Sequence, residues 1–252
     1  MRKPDGVARQ REFYGQRSHQ HLRAREHDHY ARKIVDTLAG VLEMGPEHRV
    51  LEVGAGFGRF TFDLLDHCAS VVALDLSERV LESLAQERDA RGISEERCRT
   101  RVGNLDAADR IRLEGDFDFV VGFFLLHHLP DFGSGIRSLL RFLRPGGSLG
   151  FVEPNRRNPL FLAQVACCPD MNWAEERGMF KLGQSAVMEA YRRAGLSAVA
   201  TRRFGFFPPQ IVNGSATARR LEARLERIRV LDWVLPFLLM TGRRPEEGGG
   251  GV

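Results

Sequence analysis

Apolar residues fall along this chain in two alternating rhythms. Ile34, Val35, Leu38, Val41 and Leu42 recur at helical spacing after a polar stretch over residues 1–30, which predicts an N-terminal helix leading into a core. From Arg49 onward, short apolar runs alternate with amphipathic stretches. Strands are predicted at Arg49–Val53, Val71–Asp75, Thr100–Val102, Phe117–Phe124 and Ser148–Val152. Helices are predicted between them at Arg59–His67, at Ser77–Arg91 with Ser77 as N-cap, and at Gly135–Leu143. The last of these stops before Pro145, because a residue preceding proline is driven out of the helical region, and Gly146-Gly147 turns the chain back. Strands separated by helices of this length imply right-handed crossovers and a parallel sheet covered on both faces.

After Glu153 the rhythm breaks into a segment with Pro154, Pro159 and Pro169 and the aromatics Phe161, Trp173 and Phe180. A helix at Gln184–Ala194 and a strand at Ala198–Arg203 follow, then a turn at Gly205–Pro209. Residues 214–229 read as a helix laced with Arg and Glu, with Leu221, Leu225 and Ile228 on one apolar line. Val234–Thr241 is a candidate last strand. The predicted organisation is therefore a helical lid segment over 1–44, a core formed by 45–204 plus 233–245, an inserted helix over 205–232 on the acceptor side, and a flexible tail over 246–252.

Composition narrows the class without changing this outline. Hydrophobic residues make up 43% and charged residues 28% of the 252, enough apolar content to form a packed core. The net charge is +4, and all but three of the 37 basic residues are arginine. That excess is scattered rather than clustered on one face, so nucleic acid is not an expected partner. The four cysteines, Cys68, Cys98, Cys167 and Cys168, form no CxxC pair and read as reduced thiols. His19, His21, His27 and His29 sit in a charged stretch that no Cys or carboxylate pattern completes, so they read as a solvated helix face and no metal site is expected. The apolar runs Phe117–Leu126 and Val230–Met240 fall short of the ~20 residues of a membrane helix, and the first residues hold no signal-type apolar stretch. A cytoplasmic location is expected.

The strongest chemical signal is Val50-Leu51-Glu52-Val53-Gly54-Ala55-Gly56-Phe57-Gly58-Arg59, a strand ending in an acid, then three glycines, then a helix. Glycine serves where a turn needs unusual dihedrals and the backbone must touch a ligand. The GxGxG spacing differs from the GxGxxG of dinucleotide enzymes. Asp75 ends the next strand, and parallel neighbours would bring its carboxylate beside the glycine turn, in reach of a ribose; it could instead cap the helix near Ser77.

With these residues in place the chain resembles the class I S-adenosylmethionine-dependent methyltransferases of small-molecule type. The resemblance runs over roughly residues 45–155 and includes Arg101-Val102-Gly103-Asn104-Leu105-Asp106, Phe117-Asp118-Phe119-Val120-Val121, Leu125-Leu126-His127-His128-Leu129-Pro130-Asp131 and Leu143-Arg144-Pro145-Gly146-Gly147-Ser148-Leu149. It implies an α/β fold, a Rossmann-like doubly wound, mostly parallel seven-stranded sheet with helices on both faces and an antiparallel last strand. It also implies S-adenosyl-L-methionine as cofactor. Glu52 would then face the amino end of the methionine moiety, which Gly54, Ala55, Gly56 and Gly58 would line. Asp75 would bind the ribose, Leu76, Asn104 and Leu105 would border the adenine, and Phe123 would lie under the sulfonium. Asn104 departs from the Asp common in the family, yet an amide can both donate to and accept from the base.

Methyl transfer is an in-line displacement, so positioning carries most of the catalysis, and a general base is needed only for acceptors that must lose a proton. His127 and His128 follow the fourth strand at the ligand-binding edge and are the candidate bases; Glu153, after the fifth strand, is a candidate for substrate contact. The expected reaction is methylation of O, N or C on a small organic acceptor, apolar or aromatic in character. Two other readings stay open: methylation of a lipid or polyprenyl intermediate at a membrane surface, and a non-catalytic cofactor-binding subunit. The intermixed Glu222 and Glu226 argue against the membrane, because they mark helix 214–229 as a solvated face. The Asn/Asp-Pro-Pro-aromatic signature of amino-group methylation in macromolecules is absent, with Gly122-Phe123-Phe124-Leu125 in its place.

Overall fold

The computed structural model describes residues 28–113, 116–159, 180 and 182–246. Its centre is a seven-stranded sheet of β1 (Arg49–Val53), β2 (Ser70–Asp75), β3 (Cys98–Val102), β4 (Phe117–Phe123), β5 (Leu143–Pro154), β6 (Ser197–Phe204) and β7 (Phe237–Arg243). The order across the sheet is β3-β2-β1-β4-β5-β7-β6. β1 to β5 pair in parallel, and β7 runs antiparallel to both its neighbours. The strand order reverses between β1 and β4, the place where open α/β sheets form a ligand crevice.

Both sheet faces are buried, and the alternation along each strand divides the core. Val50, Val71, Phe119, Val121 and Val152 point to one side, covered by α1 (His29–Leu42), α2 (Thr61–Leu64) and α3 (Glu78–Ala90) through Ile34, Leu38, Leu64, Leu81 and Leu84. Leu51, Val53, Val120, Leu149 and Phe151 point to the other, against Ile136 and Leu139 of α4 (Phe132–Leu139) and Val187 and Tyr191 of α5 (Gln184–Arg193). Side chains alternating at period two with neither face wet are what a parallel sheet between helical layers requires.

Several boundaries differ from the sequence pattern. The helix expected at Arg59–His67 shortens to α2, because Asp66 and His67 bond back only three residues, to Asp63 and Leu64, and tighten the last turn. The stretch 214–229 divides into α6 (Pro209–Gly214) and α7 (Ala216–Leu225), separated by extended Ser215, whose hydroxyl accepts the Ala218 N–H at 3.2 Å. α6 begins where only a turn was expected, with Pro209 in its first turn, where a missing N–H costs nothing.

The larger correction concerns the faces of α7. Leu221 and Ile228 are 46% and 44% exposed, while Glu222 is 2% exposed. Leu221 and Ile228 face solvent, Leu225 is half-buried, and the carboxylates face inward. The cause is the turn at 205–207. Glu222 accepts the Phe206 and Phe207 N–H groups at 2.7 and 2.9 Å, Glu226 accepts the Gly205 N–H at 2.5 Å, and Lys33 of α1 pairs with both acids. Three amides converging on one spot demand an anion more strongly than the core demands another leucine. No helix among the described residues is long and apolar enough to cross a membrane. Most of the expected lid, with His19, His21 and His27, and the aromatics Phe161 and Trp173 with Cys167 and Cys168 lie outside the described residues.

Candidate active site

The carboxyl ends of β1, β2, β4 and β5 converge on one edge. Beyond β1 the chain passes through Gly54, Gly56 and Gly58, all at positive φ. A Cβ at Gly58 would sit 2.9 Å from the Leu84 side chain, so that glycine serves packing. At Gly56, with φ 53°, nothing lies within 4 Å of a Cβ position, so its backbone borders open space. Beside that space Asp75 is locked in place: Oδ2 accepts the Gly56 N–H and Oδ1 the Ser77 N–H, each at 2.9 Å. A carboxylate offers about four acceptor positions, so capacity for ligand hydroxyls remains. Burial pushes the Asp75 carboxyl above its ordinary range, and the amides of Ser77, Gly56 and Leu76 oppose that push. The two alternatives for Asp75 coincide, since it holds the start of α3 and the glycine turn together.

Behind the turn, Glu52 is 1% exposed and accepts the Thr61 hydroxyl at 2.5 Å. Burial lifts its carboxyl to about 8, the Thr61 bond pulls it down, and the Asp75 charge adds to the lift. Next to Asp75, the Gly103 N–H donates to the Asp75 carbonyl at 2.9 Å, and the Asn104 carbonyl accepts the Ala107 N–H at 3.0 Å to open the turn Leu105–Arg110. Leu76, Asn104 and Leu105 are all half-buried there. Glu52, Gly54, Ala55, Gly56, Gly58, Asp75, Leu76, Asn104 and Leu105 are thus brought to one end of the sheet by three strand ends.

At the end of β4 the Phe123 ring stacks on Phe60, with centroids 4.4 Å apart and planes at 24°. Phe124 follows at φ 54°, a conformation bulky residues avoid, fixed by its N–H donating to the Val152 carbonyl at 2.8 Å. Its ring lies 5.8 Å from Phe60 and 5.7 Å from Phe237, and Tyr30 and Phe204 extend the aromatic surface at 5.4 and 5.2 Å from Phe237. Then comes a buried pair: His127 Nδ1 lies 2.6 Å from Glu153 Oε2. Glu153 is fully buried, and its other oxygen accepts the Leu125 and Leu126 N–H groups at 2.8 and 2.6 Å. Both its oxygens are engaged, so Glu153 sits behind His127 instead of at the surface an acceptor would touch. The His128 ring lies 3.9 Å from that of His127. Burial, and then the neighbouring His127, hold its imidazole well below the ordinary range, so it is neutral at physiological pH.

One group escaped the sequence reading. Asp28 caps α1 by accepting the Ala31 N–H at 3.1 Å; it also accepts from Arg59, just past the glycine turn, at 3.1 Å and from Asn213 of α6 at 3.1 Å. Asn213 returns a bond, its Oδ1 accepting the Tyr30 N–H at 2.9 Å. Burial acts to raise the Asp28 carboxyl, yet Arg59 and these donors together hold it below the usual range. Residues 28, 59 and 213 carry no spacing signal, because three separate elements supply them.

The fold, with the glycine turn beside the buried Asp75 carboxyl, defines a Rossmann-like domain. A family model described as a methyltransferase domain matches residues 51–149. The chain is 32% identical over 120 residues to a ubiquinone biosynthesis O-methyltransferase of Hahella chejuensis, covering 48% of this chain and 49% of the relative. It is 30% identical over 125 residues to the tRNA 5-carboxymethoxyuridine methyltransferase of Escherichia coli, covering 49% and 47%. Among solved structures, the N-methyltransferase NodS of Bradyrhizobium japonicum in complex with S-adenosyl-L-homocysteine superposes with a TM-score of 0.61 at 17% identity, covering 96% of this chain and all of that one. Residues 51–149 thus match a methyltransferase domain, and with these relatives they support a class I S-adenosylmethionine-dependent methyltransferase. The matched segment spans about half the length of these curated relatives.

Proposed function

We propose that this chain transfers the methyl group of S-adenosylmethionine to an O, N or C atom of a small organic acceptor with an apolar or aromatic body. The observation that carries the cofactor reading is the open space at Gly56 beside a carboxylate locked by that residue's own N–H. Glu52 and the turn of Gly54, Ala55, Gly56 and Gly58 hold the methionine end, Asp75 the ribose, and Leu76, Asn104 and Leu105 the adenine; the end of β4 at Phe123 borders the sulfonium. When bound, the cofactor supplies an electrophilic methyl carbon. The chain's own task is to hold an acceptor in line with it and to keep water away.

The aromatic surface of Tyr30, Phe124 and Phe237 at the same edge supports an apolar or aromatic acceptor. For an acceptor that must lose a proton, His127 is the better-built base of the two histidines. Its Nδ1 is held by Glu153, which orients the ring, whereas burial leaves His128 with little affinity for a proton. Asp75→Ala and Gly56→Val are each expected to weaken S-adenosylmethionine binding at least tenfold, about 1.4 kcal/mol. Isothermal titration giving wild-type affinity for both variants would overturn the assignment. A screen of metabolite extracts for products heavier by one methyl group identifies the acceptor.

A further inference from the structure

The segment 216–233 turns its conventional amphipathic logic inside out. Its two helix carboxylates, Glu222 and Glu226, are drawn inward onto Lys33 and the 205–207 amides. What remains outside is apolar and basic. Leu221 and Ile228 are about half exposed, Trp233 is 56% and Val230 73% exposed. Arg220, Arg224, Arg227 and Arg229 are exposed among them, with Asp232 as the exposed acid of the stretch. Arg220 and Leu221 each neighbour Arg224 on the surface of α7, and Arg227, Ile228, Arg229, Val230 and Trp233 carry the exposed stretch beyond its end at Leu225. Exposed apolar side chains interleaved with arginines, ending in an exposed tryptophan, have the composition of an interfacial segment. Such a face sinks its apolar tips below the headgroups and leaves its cations among them.

We infer that the outward face of residues 216–233 docks on an anionic lipid bilayer. Charge selects this occupant over others. A second copy of the chain would bring arginines against arginines. An anionic polymer such as RNA would satisfy the arginines but would leave Leu221, Ile228 and Val230 without a role. The docking face is joined to the cofactor edge, because Asn213 of the preceding helix bonds Asp28, which bonds Arg59 beside the glycine turn. Docking would hold that edge close to acceptors dissolved in the bilayer. The inference does not depend on which acceptor is methylated.

The test is co-sedimentation of the full chain with phosphatidylcholine vesicles made with and without phosphatidylglycerol. The wild type is expected to favour the anionic vesicles and to be released by salt. The triple change Leu221→Ser, Ile228→Ser and Val230→Ser, and separately the pair Arg220→Gln and Arg224→Gln, should each lower that binding about tenfold or more. Because all five side chains face solvent, S-adenosylmethionine affinity measured by titration calorimetry should be unchanged in both variants, which reports that each is folded. Equal or absent binding to the two kinds of vesicle would overturn the inference. So would anionic-vesicle binding that survives the triple serine change, or binding to mixed-sequence RNA without binding to vesicles.

Discussion

Glu52 shows how a single buried acid makes stability depend on pH. Its carboxyl titrates at about 8 in the folded chain, against about 4.3 when unfolded. Between those values the folded state keeps a proton that the unfolded state has released. Glu52 therefore costs stability that grows as pH rises through this window and levels off above it. Glu52→Gln is expected to be more stable than wild type at pH 8 by at least ~1.4 kcal/mol, with little gain at pH 4. Urea unfolding at the two pH values checks this, and identical pH slopes in both proteins would remove Glu52 as the cause. The same substitution should weaken S-adenosylmethionine binding, since an amide, unlike the Glu52 carboxyl, cannot ionise to answer a ligand's ammonium group. The acid at the end of β1 was legible in the sequence, but its proton was not, because that depends on burial beneath α2.

At the scale of elements, α7 is the instructive case. Spacing alone puts Leu221, Leu225 and Ile228 on one line, and a leucine line ordinarily faces a core. The turn at 205–207 reverses the helix, because its three amides and Lys33 are satisfied only by inward carboxylates. Glu222→Ala should therefore cost about 1–3 kcal/mol, because the Phe206 and Phe207 amides lose their acceptor while Lys33 keeps Glu226. Leu221→Ala, at an exposed position, should change stability by less than about 0.5 kcal/mol. Chemical denaturation of the two variants checks the contrast, and the reverse ranking would mean that the leucine face is the buried one. Strands β1, β2 and β4 and helix α3 lie within a few residues of their sequence patterns, because each is buried by a local periodicity. α2 and α6 escape such reading, since one is shortened by its last turn and the other starts at a proline pair.

For the whole molecule, the proposed cofactor site is assembled from strand ends that are distant in sequence and adjacent in the sheet. A ligand that binds only that assembled edge must stabilise the folded chain by mass action. At a hundred times its dissociation constant S-adenosylmethionine should add about 2.7 kcal/mol, a rise in Tm of roughly 5–10 °C for a chain of this size. Differential scanning calorimetry measures it, and Asp75→Ala should lose most of the rise at the same ligand concentration. No rise at any concentration in the wild type would contradict the proposed cofactor.

The order of strands and helices, the glycine turn and its two acids were set by the sequence itself. Their signals are local: period-two and helical apolar spacing, and glycines where the backbone must bend. The Glu153–His127 pair, the positive φ of Phe124 and the Asp28–Arg59–Asn213 bridge were decided only in three dimensions. Each depends on groups brought together from separate elements, or on strain that the surrounding packing sustains. The outward face of α7 belongs with them: the sequence placed acids beside leucines, and the fold determined which of the two would meet water.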